Sequence, residues 1–173
     1  DDTELREQLT ALREKIAARK AEQYQSKYAQ PLADTKARLQ TLSVQYNRDV
    51  AAYQALVPGA PCPICRRSVT EEELPKIQKE LRRSAALHLA QGKEQQAQIT
   101  ELQQLDQKAR EIFEQYQTDD LEKWETETQQ LESKIQQLAN DAAAQEESLR
   151  MEIQRLTADL EYGKLTQEEY DRL

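Results

Sequence analysis

Apolar residues recur along this chain at the three- and four-residue steps of helices that pack against helices. Leu5, Leu9, Leu12 and Ile16 step by 4, 3 and 4, the spacing of a coiled-coil seam. The seam resumes as Tyr28, Leu32, Leu39, Leu42, Tyr46, Tyr53 and Leu56, with Thr35 and Asp49 in two of its positions. Between Ile16 and Tyr28 the heptad slips. Pro31 lies inside the pattern, and an interior proline removes a helix hydrogen bond and clashes with the preceding turn. A kink or break is expected near residues 29–31.

Val57-Pro58-Gly59-Ala60-Pro61-Cys62-Pro63 holds three of the five prolines and one of the three glycines. A helix does not cross such a run, so it is the one strong loop. The next helix opens with several signals at once. Thr70 is an N-cap and Glu73 completes a capping box, while Val69 and Leu74 form a hydrophobic staple. Glu71, Glu72 and Glu73 complement the helix dipole. Pro75 then falls just past the first turn, a poorer place than the first helical position. The seam runs through Leu74, Ile77 and Leu81, weakens from Ser84 to Gln98 across Gly92, and returns at Leu102, Leu105, Ile112 and Tyr116. It continues as Leu121, Trp124, Leu131, Ile135, Leu138, Ala142, Leu149, Ile153, Leu156 and Leu160.

Two helical arms joined by a short loop pack antiparallel. The expected architecture is all-α, an antiparallel coiled-coil hairpin with a CxxC loop at its apex. Residues 1–57 form the first arm, 58–69 the loop, 70–118 the second arm and 119–173 its continuation. Thr118-Asp119-Asp120 resembles a cap, Tyr162-Gly163-Lys164 a stop, and Thr166 with Glu169 the start of a short last helix. Breaks are therefore expected near 118–120 and 162–164. Counting outward from the loop sets residue 56 opposite about residue 72, and residue 5 opposite about residue 120. Residues 121–173 are then left to pair with residues preceding Asp1, with another chain, or with themselves as a third helix. The chain opens on Asp rather than Met and is read as part of a longer protein.

Composition sharpens this picture. The 173 residues include 3 Gly, where an average chain would hold about a dozen. The hydrophobic share is 38% and the charged share 32%, too little apolar material for a wide core walling an active-site cleft. No apolar run reaches the ~20 residues of a membrane span, and no signal-peptide pattern opens the chain. Net charge is -8 and unevenly spread. Residues 1–61 carry nine Lys/Arg and eight Asp/Glu, residues 62–100 seven and five, and residues 101–173 eight and nineteen. So acidic a distal arm argues against direct nucleic-acid binding by this chain.

The chemistry is concentrated in Cys62-Pro63-Ile64-Cys65. Two thiolates at this spacing reach one metal ion and suit Zn²⁺, whose structural sites want four ligands. There is no second CxxC, and the only histidine, His88, is too far along the second arm to reach the loop. Counting ligands thus points to two copies of the chain meeting tip to tip and sharing one zinc ion as Cys₄. A redox dithiol, a disulfide and incidental cysteines are the alternatives; the first wants a βαβ setting that the pattern lacks.

An arm, a Pro-rich turn, Pro61-Cys62-Pro63-Ile64-Cys65-Arg66-Arg67 and then Val69-Thr70-Glu71-Glu72-Glu73-Leu74 resembles the zinc-hook region of the SMC-related ATPases of DNA double-strand-break repair, the SbcC-like family. The specific match covers about residues 58–81. Many hooks place Gly after the second cysteine, where the turn favours positive φ; here Arg66 stands. The resemblance implies a zinc-held homodimer that tethers two arms. It implies ATPase heads, a nuclease partner and DNA engaged by parts of the parent protein outside this chain. It also implies a cytoplasmic, nucleoid-associated setting in a bacterium or a nuclear one in a eukaryote. The chain has no GxxxxGK[ST] loop, and no catalysis is expected of it.

The competing function is a coiled-coil scaffold or adaptor that dimerises along its arms, through Leu102 to Leu160, without metal. His88 is read as a seam or surface histidine and not a ligand, and Trp124 as a packing residue at a seam-spaced position. Arg66 and Arg67 either steady a Cys₄ cluster of net charge -2 or are solvated. Lys76, Lys79, Arg82 and Arg83 form a basic face near the loop, read as solvated, with contact to DNA or to acidic arms as the alternative.

Overall fold

The computed structural model describes residues 1–172, without the side chains of residues 164–170. It is all-helical: α1 spans Thr3–Ala21, α2 Ala29–Ala55 and α3 Leu74–Arg172. The chain divides into two compact units, Tyr24–Gln115 and Asp1–Gln23 with Tyr116–Leu173.

In the first of these, α2 lies antiparallel on α3. Arg38 Nε donates to Gln95 Oε1 (3.1 Å), Ser84 Oγ donates to Asp49 Oδ2 (2.7 Å) and Arg82 donates to the Tyr53 hydroxyl (2.6 Å). Partners on α3 fall in number as those on α2 rise. The seam is narrow. Leu56, Val69, Leu81 and Ile99 are buried, and Thr35 is the most enclosed side chain among the described residues. Its hydroxyl donates to the Pro31 carbonyl at 2.7 Å, as a buried hydroxyl must find a partner.

Polar residues in the α2 seam meet polar residues in the weak stretch of α3. Asp49 receives Ser84, and His88 Nδ1 lies 2.7 Å from the same carboxylate oxygen. His88 is therefore a seam histidine. The trio is no catalytic triad, because Ser84 and His88 share one Asp49 oxygen instead of forming a Ser–His–Asp chain.

The break comes slightly upstream of residues 29–31. Helix α1 ends at Ala21, and Pro31 sits in the first turn of α2, whose N-cap is Tyr28. The first intrahelical bond there is Leu32 N–H to the Tyr28 carbonyl, 2.9 Å. The missing proline N–H would have had no intrahelical partner, so nothing is lost. Residues 22–28 are fastened to α3 from within each unit. Tyr24 and Ser26 both donate to Asp106 Oδ1, at 2.7 and 2.5 Å, and Tyr24 packs on Phe113 with ring centroids 5.8 Å apart. In the other unit the Gln117 amide donates to the carbonyls of Arg19 (2.7 Å) and Glu22 (3.1 Å).

These contacts correct the seam read from the sequence. Asp106, Phe113 and Gln117 are half-buried, whereas Leu105, Ile112 and Tyr116 are exposed. Partners for the Tyr24 and Ser26 hydroxyls and for the Arg19 and Glu22 carbonyls, together with the Tyr24–Phe113 ring contact, outweigh the apolar spacing here.

In the α1 unit, Leu9 and Leu12 are buried. Arg13, Arg19 and Lys20 pair with Glu132, Asp120 and Glu125 at 2.9, 3.3 and 3.5 Å. Trp124 is half-buried beneath Lys15, whose Nζ is 4.3 Å from the ring centroid. Arg19, not residue 5, therefore faces Asp120. Residues 22–28 are not helical, so a count at about 1.5 Å per residue does not hold across them. Residues 121–135 consequently have α1 as their partner.

Two expected interruptions are absent. Helix α3 runs through Thr118-Asp119-Asp120 and Tyr162-Gly163-Lys164 without a break. Cap-forming residues compete with a helix only where a non-helical alternative gains more. The expected Thr166–Glu169 cap lies outside the described side chains. Among the described residues no helix is long and apolar enough to cross a membrane.

Truncating the buried Leu81 should cost about 2–5 kcal/mol of stability, against under about 0.5 kcal/mol for the exposed Leu149→Ala, measured by urea unfolding. Hydrogen bonds from Ser26 and then Tyr24 lower the Asp106 pKa below the ordinary carboxylate value. Its carboxylate therefore stabilises the fastened segment above that value, and the contribution is lost as pH falls through the depressed folded pKa. Amide protection factors over residues 22–28 should drop in that acid range, and Asp106→Asn should flatten the acid limb.

Candidate metal centre

Helix α2 stops at Leu56 with extended backbone, and α3 begins at Leu74. The chain between them is ordered by its own backbone bonds. Gly59 N–H donates to the Val69 carbonyl (2.8 Å), Val69 N–H to Ala60 (3.0 Å) and Cys62 N–H to Arg67 (2.7 Å). Pro61 and Ser68 form an isolated antiparallel bridge. Residues 63–66 make the turn, closed by Arg66 N–H on the Cys62 carbonyl at 2.8 Å.

Two residues in this loop have positive φ. Gly59 stands at 82°, where the absence of a Cβ removes the penalty. Arg66 stands at 62° and is the one such non-glycine residue among those described. An L-residue there costs about 1–2 kcal/mol. The turn thus takes the positive-φ conformation at the residue after the second cysteine without a glycine to ease it.

The loop is anchored from below. Cys62 and Val69 are buried with Leu56 and Leu81, and Ala52, Tyr53, Leu74 and Ile77 pack around them. Val69 and Leu74 share this cluster, as the staple requires. Thr70 Oγ accepts from Glu73 N–H at 3.2 Å, so the cap exists, but regular helix starts later, at Leu74. Pro75 is then the second helical residue, where no N–H is needed.

Cys62 and Cys65 are free thiols 3.6 Å apart, the first buried and the second exposed. Two thiolates bound to one tetrahedral Zn²⁺ at ~2.3 Å stand about 3.8 Å apart, so the pair fits a shared ion. A disulfide would need ~2.05 Å. Backbone N–H groups of Cys65 and then Ile64 lower the Cys62 pKa; burial and the Glu73 carboxylate oppose them. This turn stabilises a thiolate, the form that ligates metal. Among the described residues no group of three or more His, Cys, Asp or Glu side chains converges. Arg66, Arg67, Lys76, Lys79, Arg82 and Arg83 are all exposed, with Arg82 held by Tyr53.

The backbone donors around Cys62 carry no side-chain signature, and only the CPxC spacing hinted at them. Replacing Arg66 should rank by tolerance of positive φ. Arg66→Gly should keep Cys62 amide protection, and Arg66→Ile should lower it about tenfold, read by hydrogen exchange. No protein-family model, curated protein or solved structure matches this chain.

Proposed function

We propose that residues 56–74 are the apex of an antiparallel coiled-coil hairpin that dimerises through a zinc hook. Cys62 and Cys65 of one chain and the same pair of a second would hold one Zn²⁺ as Cys₄. The observation that carries this reading is a half-site: two thiols at a tetrahedral ion's ligand spacing, in a turn built to stabilise thiolate, with no third ligand among the described residues. The zinc ion would supply a crosslink and no reaction. The chain supplies the donors, the turn that aims them and the apolar anchor under Cys62. Ligation requires deprotonated thiols, so binding releases protons and couples to ordering of the loop. Exposed Arg66 and Arg67 lie next to a cluster of net charge -2 and offset it.

The wider setting, a tether in an ATPase–nuclease complex of double-strand-break repair, rests on the motif resemblance over residues 58–81. Within it this chain is a joining element and not an enzyme.

Zinc per chain measured alongside molar mass tests the reading. One Zn²⁺ per two chains is expected. Cys62→Ser or Cys65→Ser should abolish both metal and dimer while leaving helix content unchanged. A dimer that persists undiminished in excess chelator overturns the proposal and favours association along the arms.

A further inference from the structure

The two thiols of the apex loop differ in access. Cys62 is 3% exposed and packed with Leu56, Val69 and Leu81, whereas Cys65 lies open on the turn. They nonetheless stand 3.6 Å apart, and the sequence holds no other cysteine. An exposed thiol with a second thiol at its back is the arrangement in which oxidation of the first is completed by the second.

A small oxidant meets Cys65 first. Hydrogen peroxide gives one oxygen to its sulfur: the O–O bond breaks, an S–O bond forms and one water leaves. Cys65 is then a sulfenic acid. The Cys62 sulfur attacks it, and the S–S bond forms as the S–O bond breaks. The hydroxyl departs with the Cys62 proton as a second water. The thiol pair thus gives up two electrons and two protons, which reduce one peroxide to two waters. Closing the gap to the ~2.05 Å of a disulfide asks for a shift of about 1.5 Å, within the swing of an exposed side chain.

Competing fates are weaker. Cys62 is enclosed, so a thiol on another molecule does not reach it. A second chain meets Cys65 only at the protein's own concentration, whereas a thiol tethered two residues away acts at about millimolar or above. Further oxidation of Cys65 needs a second peroxide to arrive before the neighbouring thiol does.

We propose that Cys65 and Cys62 form a peroxide-responsive dithiol site, with Cys65 attacked and Cys62 resolving, whose oxidised state is an intrachain disulfide unable to ligate metal. Metal ligation needs thiolates, and one closure removes both donors of the half-site. The consequence for zinc rests on the zinc-hook reading, under which the reduced loop joins two chains and the oxidised loop does not. The closure itself does not depend on that reading.

The test uses the full chain, stripped of metal with chelator and treated with hydrogen peroxide. Free thiols should fall from two to none, and the intact mass should fall by two hydrogens. The product should run as a single chain on a non-reducing denaturing gel, and a thiol reductant should restore it. On the reduced chain, limiting iodoacetamide should label Cys65 about tenfold faster than Cys62. In Cys62→Ser, dimedone should trap a sulfenic acid on Cys65. The proposal is overturned if the unsubstituted chain gains oxygen in place of losing two hydrogens, if a disulfide-linked dimer is the main product, or if Cys62 is labelled faster. Zinc uptake is then compared, and the oxidised chain should bind about tenfold less than the reduced one. Equal uptake by both overturns the switch. A reduced chain that binds no zinc overturns the zinc hook instead, while the loss of two hydrogens still establishes the dithiol site.

Discussion

Each helix here buries a single strip of side chains, so whatever stands in that strip must be matched by what faces it. A wide core averages over its members, whereas a strip does not. Leu56, Val69 and Leu81 satisfy the rule by apolar contact. Thr35 and Asp49 satisfy it by hydrogen bonds, the first back to Pro31 and the second across to Ser84 and His88. Removing one member of such a polar pair leaves the other with an unmet desolvation cost. Buried polar contacts of this sort tend to fix register in coiled coils, and Asp49 can face Ser84 and His88 in only one alignment of α2 on α3.

The same rule accounts for the interruption between α1 and α2. Polar groups withdrawn from water at this segment need partners. Asp106 accepts from the Tyr24 and Ser26 hydroxyls and Gln117 donates to the Arg19 and Glu22 carbonyls, while Leu105, Ile112 and Tyr116 are left exposed. Hydrogen-bond satisfaction thus decides the rotation of α3 locally, and hydrophobicity decides it elsewhere.

The cysteine loop is the opposite case: a short segment whose conformation is dictated by its own backbone. Three cross-loop hydrogen bonds and one bridge hold it, and the apolar cluster beneath fixes where it sits. Positive φ at Arg66 belongs to the turn in which Cys62 and Cys65 stand 3.6 Å apart. A loop already ordered by its own backbone leaves less order to be imposed on any ligand it binds, and the proposed zinc-held dimer would draw on that.

Much of this was legible in the residues themselves. Helix class, the loop at residues 57–63, the Thr70 cap, the Val69–Leu74 staple and the closeness of Cys62 and Cys65 follow from local rules of spacing and turn chemistry, which act within a few residues. What escaped was long-range. Asp49 read as a polar residue in one seam, and Ser84 to Gln98 as a weak stretch of another, until the pairing of Asp49 with Ser84 and His88 showed the two to be complementary. Capping residues at 118–120 predicted a break that α3 does not make, because a cap is an option that tertiary contacts can overrule. The register of α1 on α3 rests on Arg13 facing Glu132 and Arg19 facing Asp120, pairs that no local spacing reveals. Sequence alone determined the elements and the place of the chemistry, since both arise from neighbours along the chain. Only the tertiary structure decided register and which polar seam residues meet, since both arise from pairs 29 to 119 positions apart.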